Sequence, residues 1–152
     1  MKILSSDPLD GVIVRPLEFV DSSRGDLLEI QRSDDGCYPG FGQVYVTCTQ
    51  SGEVKAWYRH AHIDQMAVVS GLIKLVLYDT REGSPTQGQI NEIALGDVAP
   101  RLVLIPAGVW QGFKVLSADL TFVLHLSARP FKIDSAEEER IPCNDRSIPY
   151  KW

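Results

Sequence analysis

Lys55-Ala-Trp-Tyr-Arg-His-Ala-His62 gathers two of the chain's three histidines with a tyrosine, an arginine, a lysine and a tryptophan. Imidazole titrates near neutrality, and a phenol can hold or return a proton, so these types together suit general acid–base work. Alternate residues of a strand share a face. Tyr58, His60 and His62 therefore point one way, and Trp57, Arg59 and Ala61 the other. A one-faced row of Tyr, His and His is a candidate site lining; its plainer reading is a pair of half-exposed histidines on an edge strand. The third histidine, His125, alternates with apolar residues in Phe122-Val-Leu-His-Leu-Ser127 and reads as a core histidine with a hydrogen-bond partner.

The elements that must position this row are strands. Phe41 to Thr49 alternates and is rich in β-branched and aromatic residues, placing Gln43, Tyr45 and Thr47 on one face. Further strands are expected at Val12–Pro16, 72–79, 89–95, 101–105, 109–116 and 119–127, separated by Gly- and Pro-containing turns. That spacing predicts an all-β sandwich or barrel. Asp134-Ser-Ala-Glu-Glu-Glu-Arg140 reads as one short C-terminal helix, with a cap and acidic residues in its first turn. The tail ending Ile148-Pro-Tyr-Lys-Trp152 carries enough apolar bulk to dock against the barrel.

Length and composition narrow the class. With 152 residues, 44% of them hydrophobic, the chain suits a single domain over 1–152. A net charge of −5 without any Lys/Arg cluster argues against a nucleic-acid surface, and no apolar run approaches a membrane span. Cys37, Cys48 and Cys143 are odd in number and widely spaced, as expected of reduced thiols in a cytoplasmic protein.

Two signatures resemble the motifs of the cupin double-stranded β-helix, or jelly roll. One is His60-Ala-His62 followed by Gln65 and Gly71; the other is Pro106-Ala-Gly108 with Gln111. Two histidines and two neutral amides make a poor ligand set for a first-row divalent ion, so neither a metal nor a cofactor is expected. A metal-dependent cupin using His60, His62, Gln65 and Gln111 stays as an alternative.

The stronger resemblance is to one cupin family, the dTDP-4-dehydrorhamnose 3,5-epimerases. Arg24-Gly25 with Glu29, Phe41-x-Gln43, Asp79-x-Arg81 with Ser84-Pro-Thr-x-Gly88, Pro106-x-Gly-x-x-x-Gly-Phe113 and Asn144-Asp145 through Trp152 are similar to its motifs. The resemblance implies inversion of a carbon beside a ketone on a nucleotide-linked 4-keto-6-deoxy sugar, a small-molecule partner, and a homodimer. In the family a His held by an Asp is the base, a Lys supports the enolate and a Tyr returns the proton. Here Tyr58 stands at the base position, Asp64 falls near the lysine position, and Arg129 or Phe131 lies in the segment that should carry the tyrosine. A two-residue slide keeps the face, so His60 or His62 can present the base instead, with Asp145 as the orienting acid. Arg24, Glu29, Gln43, Lys55, Arg59, Gln111 and Arg129 are the expected substrate-binding residues. With three catalytic positions substituted, a non-catalytic ligand-binding relative is the other reading.

Overall fold

A computed structural model describes residues 4–135 and 137–152. In chain order the strands are β1 (Ile13–Pro16), β2 (Phe19–Val20), β3 (Leu27–Leu28), β4 (Gln43–Thr49), β5 (Val54–His60), β6 (Asp64–Ser70), β7 (Leu72–Asp79), β8 (Ile90–Gly96), β9 (Arg101–Ile105), β10 (Val109–Val115), β11 (Thr121–Ser127) and β12 (Glu138–Arg140). One five-stranded sheet has the order β1-β9-β6-β11-β4, the other β12-β5-β10-β7-β8, and β2 pairs with β3 in a separate ribbon. Every pairing between these strands is antiparallel. The result is the two-sheet jelly roll that the alternating strands predict.

The two sheets meet differently along their width. Met66, Val68, Ile73, Leu75, Leu77, Ile93, Leu95, Val103 and Phe113 fill one side with close-packed hydrocarbon. On the other side, where β4 and β11 face β5 and β12, the inward positions are polar: Gln43, Tyr45, Thr47, Tyr58, His60, His125 and Ser127. Alternation does the sorting along β4 and β11, while a bulge at Trp57 shifts the register of β5, so that Lys55 and Tyr58 both reach the hollow. A core that becomes polar toward one edge cannot close tightly, and a hollow remains there.

The predicted helix over 134–140 is not found. Ala136 lies outside the described residues, and no helix occurs among those described. Glu138–Arg140 is instead an edge strand, with Glu138 opposite His60, Glu139 opposite Arg59 and Arg140 opposite Tyr58. The edge of β5 offers a row of unpaired backbone groups, and pairing them outweighs the weak helical preference of so short an acidic run. The tail docks as expected: Ile148 is buried, and Tyr150 and Trp152 pack on the outward-facing Trp57.

Below the hollow, the Ser-Pro-Thr-x-Gly segment has a structural task. Asp79 at the end of β7 accepts hydrogen bonds from Arg81 (2.8–2.9 Å), Ser84 (2.6 Å) and Thr86 (2.7 Å). Burial alone would raise its pKa, but these donors outweigh it and hold the carboxyl well below the usual carboxylate range. Such a depressed group stabilises the fold above its unfolded pKa, and the contribution is lost as pH falls through the lower folded value. Asp79→Ala should cost about 3 kcal/mol in urea unfolding at neutral pH, by stranding the partly buried Arg81. An unchanged urea midpoint would contradict this role.

Candidate functional site

The site is built at the end of β5. The chain leaves β5 at His60, bends through Ala61 to Ile63, and enters β6 at Asp64 in the opposite sheet. The alternation survives the bend. Tyr58 and His60 meet edge to face at 5.7 Å, and the His60 and His62 rings stack at 5.0 Å. Asp64 continues the same parity and is fully buried beneath them, with its Oδ2 3.7 Å from His60 Nε2.

Other elements close around this row. From β12, Glu138 brings Oε2 to 3.6 Å from His60 Nδ1, and its Oε1 accepts a short hydrogen bond from Arg140 Nε. Glu137 stands 3.4 Å from His62 Nδ1 and 3.5 Å from Arg129. From β4, Tyr45 stacks almost parallel on His125 of β11 at 4.6 Å. Thr47 Oγ1 and His125 Nε2 lie within hydrogen-bond distance at 3.2 Å.

These side chains line two adjoining cavities that share Tyr45, Glu138 and Arg140. One, of about 210 Å³, is walled by Gln43, His60, His62, Ser127, Arg129 and Lys132. The other, of about 370 Å³, is walled by Thr47, Lys55, Tyr58, Phe113 and His125. Together they form a groove along the polar edge between the sheets, of a size that suits a small organic ligand.

Electrostatics follow from burial. Burial pushes Asp64 up to about 7, against hydrogen bonds from Ser127, the Gln65 backbone and Gln111 that favour its charge. His60 is lowered, first by burial and then by His62 and Arg140, while Glu138 works the other way. His125 falls to about 4, mainly by burial, so it stays neutral at physiological pH. Burial raises both Tyr45 and Tyr58, which are therefore phenols and not phenolates. At neutral pH the site thus holds the neutral imidazoles of His60 and His125, two proton-bearing phenols and a carboxyl poised between its forms. That inventory can move a proton to or from a ligand.

The hollow gathers Tyr58, His60, His62, Gln43, Lys55 and Arg129 from the expected set, with Gln111 buried beside Asp64. It does not gather the rest. Asp145 was expected to orient His60. Its Oδ1 instead accepts Ser147 N–H (2.9 Å) and Oγ–H (2.6 Å) in a turn of the tail, which packs on the Trp57 face of β5, opposite the imidazoles. Arg59 is also turned outward, over Trp110 at 4.7 Å and paired with Glu139 at 2.8 Å. Arg24 is exposed between β2 and β3, and Glu29 lies 3.7 Å from Arg32 at the surface. Gln65 donates to Gln31 at 2.7 Å and does not line either cavity. Among the described residues no group of three or more His, Cys, Asp or Glu side chains is arranged to hold a metal ion.

Asp64, Glu138 and Arg140 are the site residues that sequence reasoning passed over. Asp64 had a signal, since 58, 60, 62 and 64 share one parity. Glu138 and Arg140 were concealed by the helical reading of their segment.

The family model for dTDP-4-dehydrorhamnose 3,5-epimerase matches residues 7–152. The chain is 32% identical to the spore coat polysaccharide biosynthesis protein SpsL of Bacillus subtilis, over 95% of this chain and 96% of that protein. It is 35% identical to the "Probable low-salt glycan biosynthesis epimerase Agl13" of Haloferax volcanii, over 93% and 92%. The crystal structure of a dTDP sugar isomerase from Desulfovibrio desulfuricans superposes with a TM-score of 0.89 at 34% identity, covering 95% of this chain and 92% of that one. The match of the family model over residues 7–152, with relatives above 30% identity along nearly their whole length, shows that the chain belongs to the dTDP-4-dehydrorhamnose 3,5-epimerase family.

Proposed function

We propose that this protein binds a nucleotide-linked 4-keto-6-deoxy sugar in the hollow and epimerises it by proton transfer beside the ketone. The observation that carries the reading is His60: a neutral, buried imidazole lining a cavity, with a carboxylate on either side at 3.6 and 3.7 Å. Removing a proton from carbon needs a base of matched pKa, a cation near the developing enolate oxygen and an acid on the other face. His60 is the base in this reading. Arg140, which stands opposite Tyr58 and influences both tyrosines, is the cation. Tyr45, across the groove on β4 and still bearing its proton, is the acid. Lys55 and Arg129, one in each cavity, are cations suited to a diphosphate, whichever cavity receives it. A dTDP-sugar is the ligand most consistent with the family and with the 34%-identical isomerase.

The substitutions at Tyr58 and Asp64 favour a second reading, in which the groove binds such a ligand without turning it over. One experiment separates the two. Incubation with a dTDP-4-keto-6-deoxy sugar in deuterated water should place deuterium at C3 or C5, and His60→Asn should slow that incorporation by about 10²–10⁴-fold. Binding of dTDP without exchange at any pH would establish the non-catalytic reading instead.

We further propose a homodimer. The outward face of β4 and β11 exposes Val44, Val46 and Phe122, a continuous apolar surface of the kind that isologous pairs bury. Light scattering should give the mass of two chains, falling to one in Val46→Lys. A single-chain mass for the unaltered protein would contradict it.

A further inference from the structure

Asp64 stands where the family resemblance calls for a lysine, and it is fully buried. Its Oδ1 receives Ser127 Oγ–H at 3.3 Å, while Oδ2 has no hydrogen-bond partner and faces His60 Nε2. Both ring nitrogens of His60 are likewise buried without a hydrogen bond. A neutral imidazole has one N–H to give, and two carboxylates flank this ring. They are unequal claimants. Glu138 lines the cavity and already takes the Arg140 Nε–H, whereas Oδ2 of Asp64 makes no hydrogen bond. An unpaired carboxylate costs more in the dry interior than at a cavity wall, so an ionised Asp64 claims the proton.

We propose that Asp64 is a positioning residue that selects which nitrogen of His60 carries hydrogen, leaving Nδ1, the nitrogen beside the cavity-lining Glu138, bare only when Asp64 is ionised. The inference rests on His60 being the base of the reading above. With Asp64 ionised, Nε2–H donates to Oδ2 and the Nδ1 lone pair is free. Nδ1 then takes the proton from the sugar carbon, the electron pair passes to the ketone oxygen, and the resulting imidazolium is balanced by Asp64. With Asp64 protonated, its O–H donates to Nε2, the ring proton sits on Nδ1 against Glu138, and no lone pair is left on Nδ1 to take a proton.

The groups around the pair are Glu138 and Arg140 from β12, His62 beyond β5, Tyr58 from β5, Tyr45 from β4 and His125 from β11. Tyr45, Tyr58 and His125 hold fixed, neutral forms near pH 7. His62 and Arg140 disfavour a charged His60, and burial keeps the ring neutral. Burial puts Asp64 near 7, so the exchange between the two arrangements falls in the neutral range: closed to proton uptake below it, open above.

Nitrogen-15 histidine spectra of the ligand-free protein across about pH 5 to 9 test this, since they report which ring nitrogen bears hydrogen. We expect His60 to pass from the Nδ1–H to the Nε2–H form as pH rises through neutrality. Asp64→Asn should abolish that passage and lower kcat by about 10²–10⁴-fold with KM nearly unchanged. Ser127→Ala keeps the carboxylate but removes its donor, and should move the passage to higher pH. One unchanging tautomer in the unaltered protein, persistence of the switch in Asp64→Asn, or no displacement in Ser127→Ala would overturn the proposal. The spectra need no substrate, so failure of the unaltered protein to exchange deuterium would sink the epimerase reading while this result still decides the role of Asp64.

Discussion

A carboxylate buried between two sheets must share its environment with something that can carry a proton, and the architecture of this chain is arranged around meeting that condition at Asp64. The residue enters β6 directly after the bend that follows His60, so chain connectivity sets the acid beside the imidazole. Ser127 from β11 and Gln111 from β10 supply the remaining polar contacts, and they come from both sheets. Desolvation without a full countercharge pushes the acid up to about 7 and the histidine down, so the carboxyl keeps its proton at higher pH than the imidazole does. Perturbations of this kind mark groups fit for proton transfer near neutral pH. It also explains why the hollow exists. Hydrocarbon closes the other half of the sandwich, and the polar half stays open because its side chains need partners that packing alone does not give.

In the proposed reading the family's chemical roles fall to other residues at two positions. Tyr58, which the resemblance sets at the base position, is kept a phenol by burial. His60, two residues on, presents an imidazole to the same hollow, as strand alternation requires. In the proposed reading, Asp64 stands near the position where the resemblance calls for a lysine, and Arg140 on the edge strand supplies the positive charge instead.

Much of this was legible in the sequence, and the losses have physical causes. The jelly roll, the inward row of Tyr58, His60 and His62, and the docking of the tail all follow from period-two alternation and from where apolar bulk lies. Asp145 misled because motif proximity carries no information about which face of a sheet a tail covers; here it covers the Trp57 face. Arg59 was grouped with the histidines by nearness in sequence, although its own parity sends it outward onto Trp110. The 134–140 segment misled for another reason. Its acidic composition suits a helix start, but the open edge of β5 is a tertiary demand that local propensity does not contain. Glu138 and Arg140 became visible only once that edge was paired.

The account stands or falls on what the polar hollow receives. A crystal structure with a dTDP-linked 4-keto-6-deoxy sugar should show the sugar between His60 and Tyr45, with C3 or C5 within about 3.5 Å of an imidazole nitrogen. A sugar seated outside the sheets, with water alone beside His60 and Asp64, would contradict it.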